Sequence, residues 1–237
     1  MYYNETEKDQ VGKSMDTTLI RQKARDRLTG NWGLSIGVAA VACLLGGVLV
    51  GSSFLPDLEY HTGDRNIYTL ASSIGLSFKN GIFGLAAFIL GGVLELGYAR
   101  FLLMQHDGQQ AEFNDLFSQF DRFGAGFAQQ FLRNLYTALW TLLLVIPGIV
   151  ASLSYAMTPF IMAEYPQLTA SEAISRSKAL MDGHKMDLFV LRLTFIGWDL
   201  LAALTLNIGY LALNPYKNAA EAVFYREICA RQRYTVE

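Results

Sequence analysis

The chain has 237 residues, of which 52% are hydrophobic and 17% charged, against about a quarter charged in ordinary soluble domains. A positive mean hydropathy of +0.24 excludes a disordered chain, and a net charge of −2 supplies no global field for nucleic acid. Two cysteines, Cys43 and Cys229, are too few for a disulfide framework.

Apolar residues fall in long blocks separated by short charged stretches, the pattern of an integral membrane protein. Residues 1–31 are polar and carry six basic residues between Lys8 and Arg27. They lack the apolar run that follows the basic start of a secretory signal. We read 1–17 as a polar, disordered tail, 18–230 as a single membrane domain and 231–237 as a C-terminal tail.

The first apolar run, Trp32 to Leu55, is 24 residues without a charge. At about 1.5 Å per residue it crosses a roughly 30 Å hydrocarbon core with length to spare. Trp32 fits an interfacial anchor. Gly33 and Gly37, and Gly47 and Gly51, are spaced four apart, which lets another backbone approach closely, either within the protein or in a second copy. Pro56 to Asn80, with Asp57, Glu59 and Asp64, is the one sizeable external segment and a candidate partner surface.

Gly81 to Met104 is a second span, carrying Glu95 and Arg100. Phe113, Phe117, Phe120, Phe123 and Phe127 then recur at three to four residues, an apolar helix face. Leu135 to Ala163 is 29 uncharged residues, more than one crossing needs. Pro147-Gly148 breaks it. The block is either one kinked helix or a hairpin of Phe127–Ile146 and Ile149–Tyr165. Leu188 to Leu206, with Arg192 and Asp199, is the next span. Ile208 to Tyr225, with Pro215, Lys217 and Glu221, is a weakly apolar sixth.

Basic residues favour the cytoplasmic side of short loops. Six spans with both ends inside place 13 basic residues in cytoplasmic segments and 2, Arg65 and Lys79, outside. Four or five spans fit the charges less well. The expected fold is therefore all-α, a polytopic bundle of six transmembrane helices with cytoplasmic termini. Three amphipathic stretches precede spans: Thr18–Thr29 before Gly30, Phe113–Phe123 before Gly124, and Thr169–Asp182 before Gly183. The third opens with the capping box Thr169-x-x-Glu172. They read either as the heads of three repeated amphipathic-helix-plus-hairpin units or as unrelated interfacial helices.

No phosphate loop, zinc helix or nucleophile elbow is present. His61, His106 and His184 each stand alone, so neither a metal nor a cofactor is expected. The sharper signal is charge within spans. Glu95, Arg100, Arg192 and Asp199 sit where ionisable groups are costly and must pair or face a polar cavity. Arg192 and Asp199, seven apart, share one helix face. Glu95 is a candidate counter-charge for Arg192, and Arg100 can snorkel to the interface. The four form either a polar site or packing ion pairs.

Ala24-Arg25-Asp26-Arg27-Leu28-Thr29-Gly30-Asn31-Trp32-Gly33, Ile146-Pro147-Gly148-Ile149, Ser177 to Lys185, Phe195-Ile196-Gly197-Trp198, and Pro215-Tyr216 with Phe224-Tyr225 occur in this order. This combination, over roughly residues 18 to 230, resembles the bacterial membrane family called domain of unknown function 975, found mostly in Gram-positive bacteria. The resemblance implies a multi-pass protein of the cytoplasmic membrane and supplies no activity. The expected function is non-catalytic: an accessory, partner-binding or envelope-protective membrane protein. The alternative is a small transporter or lipid-handling protein using the charged span positions. Expected partners are membrane lipids, with another membrane protein or a second copy of the chain, and no nucleic acid.

Overall fold

The computed structural model describes residues 15–46, 82–205 and 209–236. Their regular structure is all helical, with no strand among the described residues. The N-terminal tail before Met15, the segment 47–81 that contains Gly47, Gly51, His61 and the external loop, and residues 206–208 lie outside the description.

Helix α1, Thr17–Leu28, starts where the Asp16 carboxylate accepts from the Thr18 and Leu19 amides at 2.9 and 3.3 Å. Ile20, Ala24 and Leu28, one face at four-residue spacing, are buried. Gly30 ends it at φ 89°, a conformation that favours glycine. Helix α2, Trp32–Gly46, follows at once.

Helix α3, Ile82–His106, is apolar on every side, and residues 91–99 are all buried. A helix with no polar face belongs at the centre of a bundle, and α3 packs against α2 and against all the later bundle helices named next except α5 and α7–α9. These are α4 (Phe123–Leu143), α5 (Val145–Ser154), α6 (Thr158–Glu164), α7 (Ala170–Leu180), α8 (Lys185–Leu193), α9 (Ile196–Leu204) and α10 (Tyr210–Val236). The last of these runs through 231–236, so the expected C-terminal tail continues the helix. It also packs along α1, tied there by the Lys23–Glu227 ion pair.

The long uncharged block is a hairpin. Its reversal falls at Leu144, an extended residue (φ −162°, ψ 146°) three positions before Pro147. Pro147 instead occupies the first turn of α5, where its missing N–H costs nothing. The arms touch closely beyond the turn: a Cβ on Gly148 would lie 2.8 Å from the Thr141 Cα. The Tyr136 and Tyr155 rings stand 6.2 Å apart lower down.

Of the three amphipathic stretches, the first and third form α1 and α7, each followed by a positive-φ glycine, Gly30 and Gly183. The third has the expected capping box, with the Thr169 amide donating to Glu172 Oε2 at 2.8 Å. The second departs from expectation. Phe113–Phe117 and Phe120–Arg122 are short 3₁₀ turns, and Gly124 lies inside α4. The Asp115 carboxylate turns back onto the Glu112 amide at 2.7 Å, and Ser118 Oγ donates to the Asp115 carbonyl. Such local bonds compete with a longer helix. Phe113, Phe117 and Phe120 still contact one another, with centroids 5.9 and 5.6 Å apart.

Among the described residues one helical stretch, Val145–Glu164, is long and apolar enough to cross a membrane; Trp32–Ala42 is apolar over a shorter length. Large apolar side chains stand exposed on the hairpin from Phe131 to Val150 and on the α8–α10 arm from Met186 to Leu211.

Candidate functional site

The charged span residues do not converge. Glu95, Arg192 and Asp199 are each matched locally across a helix pair. Glu95 on α3 is buried, and its carboxylate meets Arg133 on α4: Arg133 Nη2 donates to Oε1 at 2.7 Å and to Oε2 at 2.8 Å. Gln129 Nε2 donates to Oε2 at 3.0 Å. The expected Glu95–Arg192 pairing is therefore incorrect.

Gly92 and Gly126 bring these helices together. A Cβ on Gly92 would stand 2.2 Å from the Gly126 carbonyl oxygen, and one on Gly126 would stand 2.8 Å from Val93 Cα. Only hydrogen fits there, so the side chains one and two turns along must meet across the same seam. Gly126, Gln129, Gln130 and Arg133 share one face of α4, at offsets of three, four and seven residues. Gln129 and Gln130 are buried with their amide oxygens unpartnered.

Arg192 and Asp199 share a face as expected, yet their partners lie on α10. Arg192 Nε donates to Glu221 Oε1 at 2.9 Å, and Lys217 Nζ donates to the two Asp199 carboxylate oxygens at 3.0 and 3.1 Å. Residues 217 and 221 are one turn apart on α10, so an antiparallel neighbour places 221 against 192 and 217 against 199. The charges that make the sixth stretch weakly apolar are the counter-charges of the fifth. Tyr210 reinforces the pair of arms by donating its hydroxyl to the Asp199 carbonyl at 3.2 Å.

Arg100 is exposed and makes no ion pair among the described residues. It borders a cleft of about 240 Å³ at the end of α3, with Asp107, Gln109, Glu164 and Arg226. Arg226 spans this cleft, donating to Glu164 Oε1 at 2.7 Å and to Asp107 Oδ2 at 2.5 Å. Tyr225 donates its hydroxyl to Glu164 Oε2 at 2.5 Å. Arg122 closes the same end through the Met162 and Pro166 carbonyls. This basal knot joins α3, α6 and α10 and was not foreseen. Its one sequence signal is the set of lone charges at the ends of apolar blocks.

Gly33 and Gly37 do not mediate close packing among the described residues, since a Cβ on either meets nothing within 4 Å. The close approaches among the described residues are at Gly92, Gly97, Gly126, Gly148 and Gly209. Gly97 accommodates the Leu116 carbonyl of the first 3₁₀ turn, 1.9 Å from where a Cβ would stand. His106 and His184 each face one neighbouring carboxylate, Asp107 at 3.1 Å and Asp187 at 3.2 Å. Among the described residues no group of three or more histidines, cysteines and carboxylates is placed to hold a metal ion. Cys229 is half-buried in α10.

No curated protein and no solved structure matches the chain. The family match is narrower than the resemblance read from the motifs, starting near the tip of the α4–α5 hairpin and ending in α10. Residues 141–232 match the family described as Protein of unknown function (DUF975).

Proposed function

We propose that the chain is a multi-pass protein of the bacterial cytoplasmic membrane, with six membrane-embedded helices and both termini cytoplasmic, that acts without catalysis on or through another membrane protein. The supporting observation is an inverted distribution of polarity. Leu142 to Ile146 are each at least 64% exposed, as are Leu200 and Leu204, while Glu95, Arg133, Arg192, Asp199, Lys217 and Glu221 are paired between helices. Hydrocarbon is the solvent that suits such a surface, and inward pairing is how ionisable groups are accommodated in it. Because each charge is neutralised by a neighbour, the pairs serve as interhelical fasteners.

A second reading has one observation in its favour. The unpartnered Gln129 and Gln130 oxygens are buried in the same α3–α4 seam as Glu95. Buried acceptors of this kind call for a donor such as water or a solute. This favours a small transporter or lipid-handling protein.

Native mass spectrometry of the protein, extracted gently from its own membrane, separates the two. A stoichiometric protein companion supports the accessory reading. A retained lipid or solute without a companion, lost in Glu95→Gln, overturns it in favour of transport or lipid handling.

A further inference from the structure

The tip of the α4–α5 hairpin differs from an ordinary connection between two spans. Connections at a water interface are polar. Between Thr141 and Ser152, ten consecutive residues carry no polar side chain, and the turn sits among them. Leu142, Leu143, Leu144, Val145 and Ile146 are 64–76% exposed. In water, each large aliphatic side chain left exposed forgoes about 1.5–3 kcal/mol of burial. By contrast, the α9–α10 connection has Thr205 and Asn207 in its sequence, with the Asp199–Lys217 pair about one and a half to two turns below.

In hydrocarbon an unpaired polar group is costly, and the tip pairs part of its backbone across the turn. The Leu144 amide donates to the Trp140 carbonyl at 3.1 Å, and the Leu144 carbonyl accepts from the Gly148 amide at 3.2 Å. Pro147 brings no N–H. The Val145 and Ile146 amides in the first turn of α5, and the Thr141, Leu142 and Leu143 carbonyls at the end of α4, make no backbone bond across the turn. Thr141 Oγ1 is itself occupied, donating to the Thr137 carbonyl at 2.8 Å.

Length gives the depth. Arg133, held by Glu95, is the last charged residue of α4. From it to Leu144 is about 16 Å of helix, about half of a roughly 30 Å hydrocarbon core. We infer that the α4–α5 hairpin is re-entrant: acyl chains solvate its apolar tip, and the turn at Leu144 lies near the bilayer midplane and does not reach the far aqueous face. The inference rests on the membrane reading above and refines it. Both ends of the hairpin stay on the cytoplasmic side, so the sidedness of the flanking segments is unchanged. The Glu95–Arg133 pair then marks the level at which the hairpin enters hydrocarbon.

The test is site-directed spin labelling of the full chain in phosphatidylcholine/phosphatidylglycerol liposomes. Single cysteines replace Leu139, Leu144 or Val150, with Cys43 and Cys229 changed to serine. Collisions with oxygen report hydrocarbon, and collisions with a water-soluble nickel chelate report water. The inference predicts the highest oxygen-to-nickel ratio at position 144, falling towards 139 and 150. Nickel access at 144, with 139 and 150 still in hydrocarbon, overturns re-entrance and leaves the membrane reading standing. Nickel access at all three overturns both. Shielding of 144 from both reagents with spin–spin broadening means that a second copy covers the tip, which also overturns it. Quenching of Trp140 by brominated lipids, with Trp32 and Trp198 changed to phenylalanine, checks the depth without a cysteine at the turn. Strongest quenching by lipids brominated near the chain ends is expected; quenching by headgroup-proximal bromines alone contradicts it.

Discussion

At the scale of the residue, the informative positions are the charges inside apolar helices. Glu95 and Arg133 have 8% and 19% of their side chains exposed, so each depends on the other for neutralisation. Removing one partner of such a pair leaves the other uncompensated, at a cost of about 3–5 kcal/mol. Glu95→Gln should therefore lower the thermal midpoint in detergent sharply, and adding Arg133→Met should recover part of the loss. A double variant no better than the single one would show that the pair is not coupled. The need for partners at these positions was legible in the sequence, because a charge in an apolar run demands one. The identity of the partner was not. Arg133 stands two residues before the uncharged block that starts at Leu135, and which helix faces α3 is decided by Gly92 and Gly126, whose close approach is a three-dimensional fact. The pairing of Arg192 with Glu221 and Asp199 with Lys217 was within reach: two charges seven apart, two of opposite order four apart, and a short connection imply antiparallel matching.

At the scale of the element, glycine spacing and capping make opposite points. At Gly33 and Gly37, spaced four apart, a Cβ meets nothing within 4 Å among the described residues, while Gly126, outside any repeated glycine motif, is packed against backbone. Spacing states that close approach is permitted; a neighbour must still arrive. Gly126→Ala should cost about 1–3 kcal/mol through overpacking, whereas Gly33→Ala should be neutral or stabilising by about 0.5–1 kcal/mol through helix propensity. Chemical denaturation of both variants checks the contrast, and equal effects would contradict it. Capping is fully legible because its rules are local: Thr169 and Glu172 form the expected box. The hydrogen bonds from Thr169, its side chain first and its backbone amide second, hold the Glu172 carboxyl below its ordinary value. A depressed carboxyl contributes stability above its unfolded pKa, and that contribution is lost as pH falls through the folded value. Melting of the α7 region should therefore shift downward on acidification through the carboxylate range. Thr169→Ala should lower stability at neutral pH and flatten that dependence; an unchanged acid profile would contradict the role of the box. The second amphipathic stretch forms 3₁₀ turns in place of the helix its spacing predicts, because Asp115 and Ser118 satisfy the backbone locally, a choice that a periodic phenylalanine pattern does not register.

At the scale of the whole molecule, the described helices form a bundle around α3 in which Glu95, Arg192 and Asp199 are paired between helices and the α4–α5 hairpin presents apolar surface. The all-helical class was legible from the block pattern, and the hairpin was one of two readings of the 29-residue block. Its turn lies three residues before Pro147, because Pro147 and Gly148 mark a helix start and an arm contact, while the reversal itself needs only extended Leu144. The central claim is the membrane topology, and α7 tests it most directly. Ser175 is exposed on α7, next to Arg176 and close to Lys178, whose charges belong on the cytoplasmic side. The measurement is labelling of Ser175→Cys, with Cys43 and Cys229 replaced, by a membrane-impermeant maleimide in intact cells and after permeabilisation. The account predicts a membrane-bound protein that labels only after permeabilisation. Labelling in intact cells, or recovery of the protein in the soluble fraction, would contradict it.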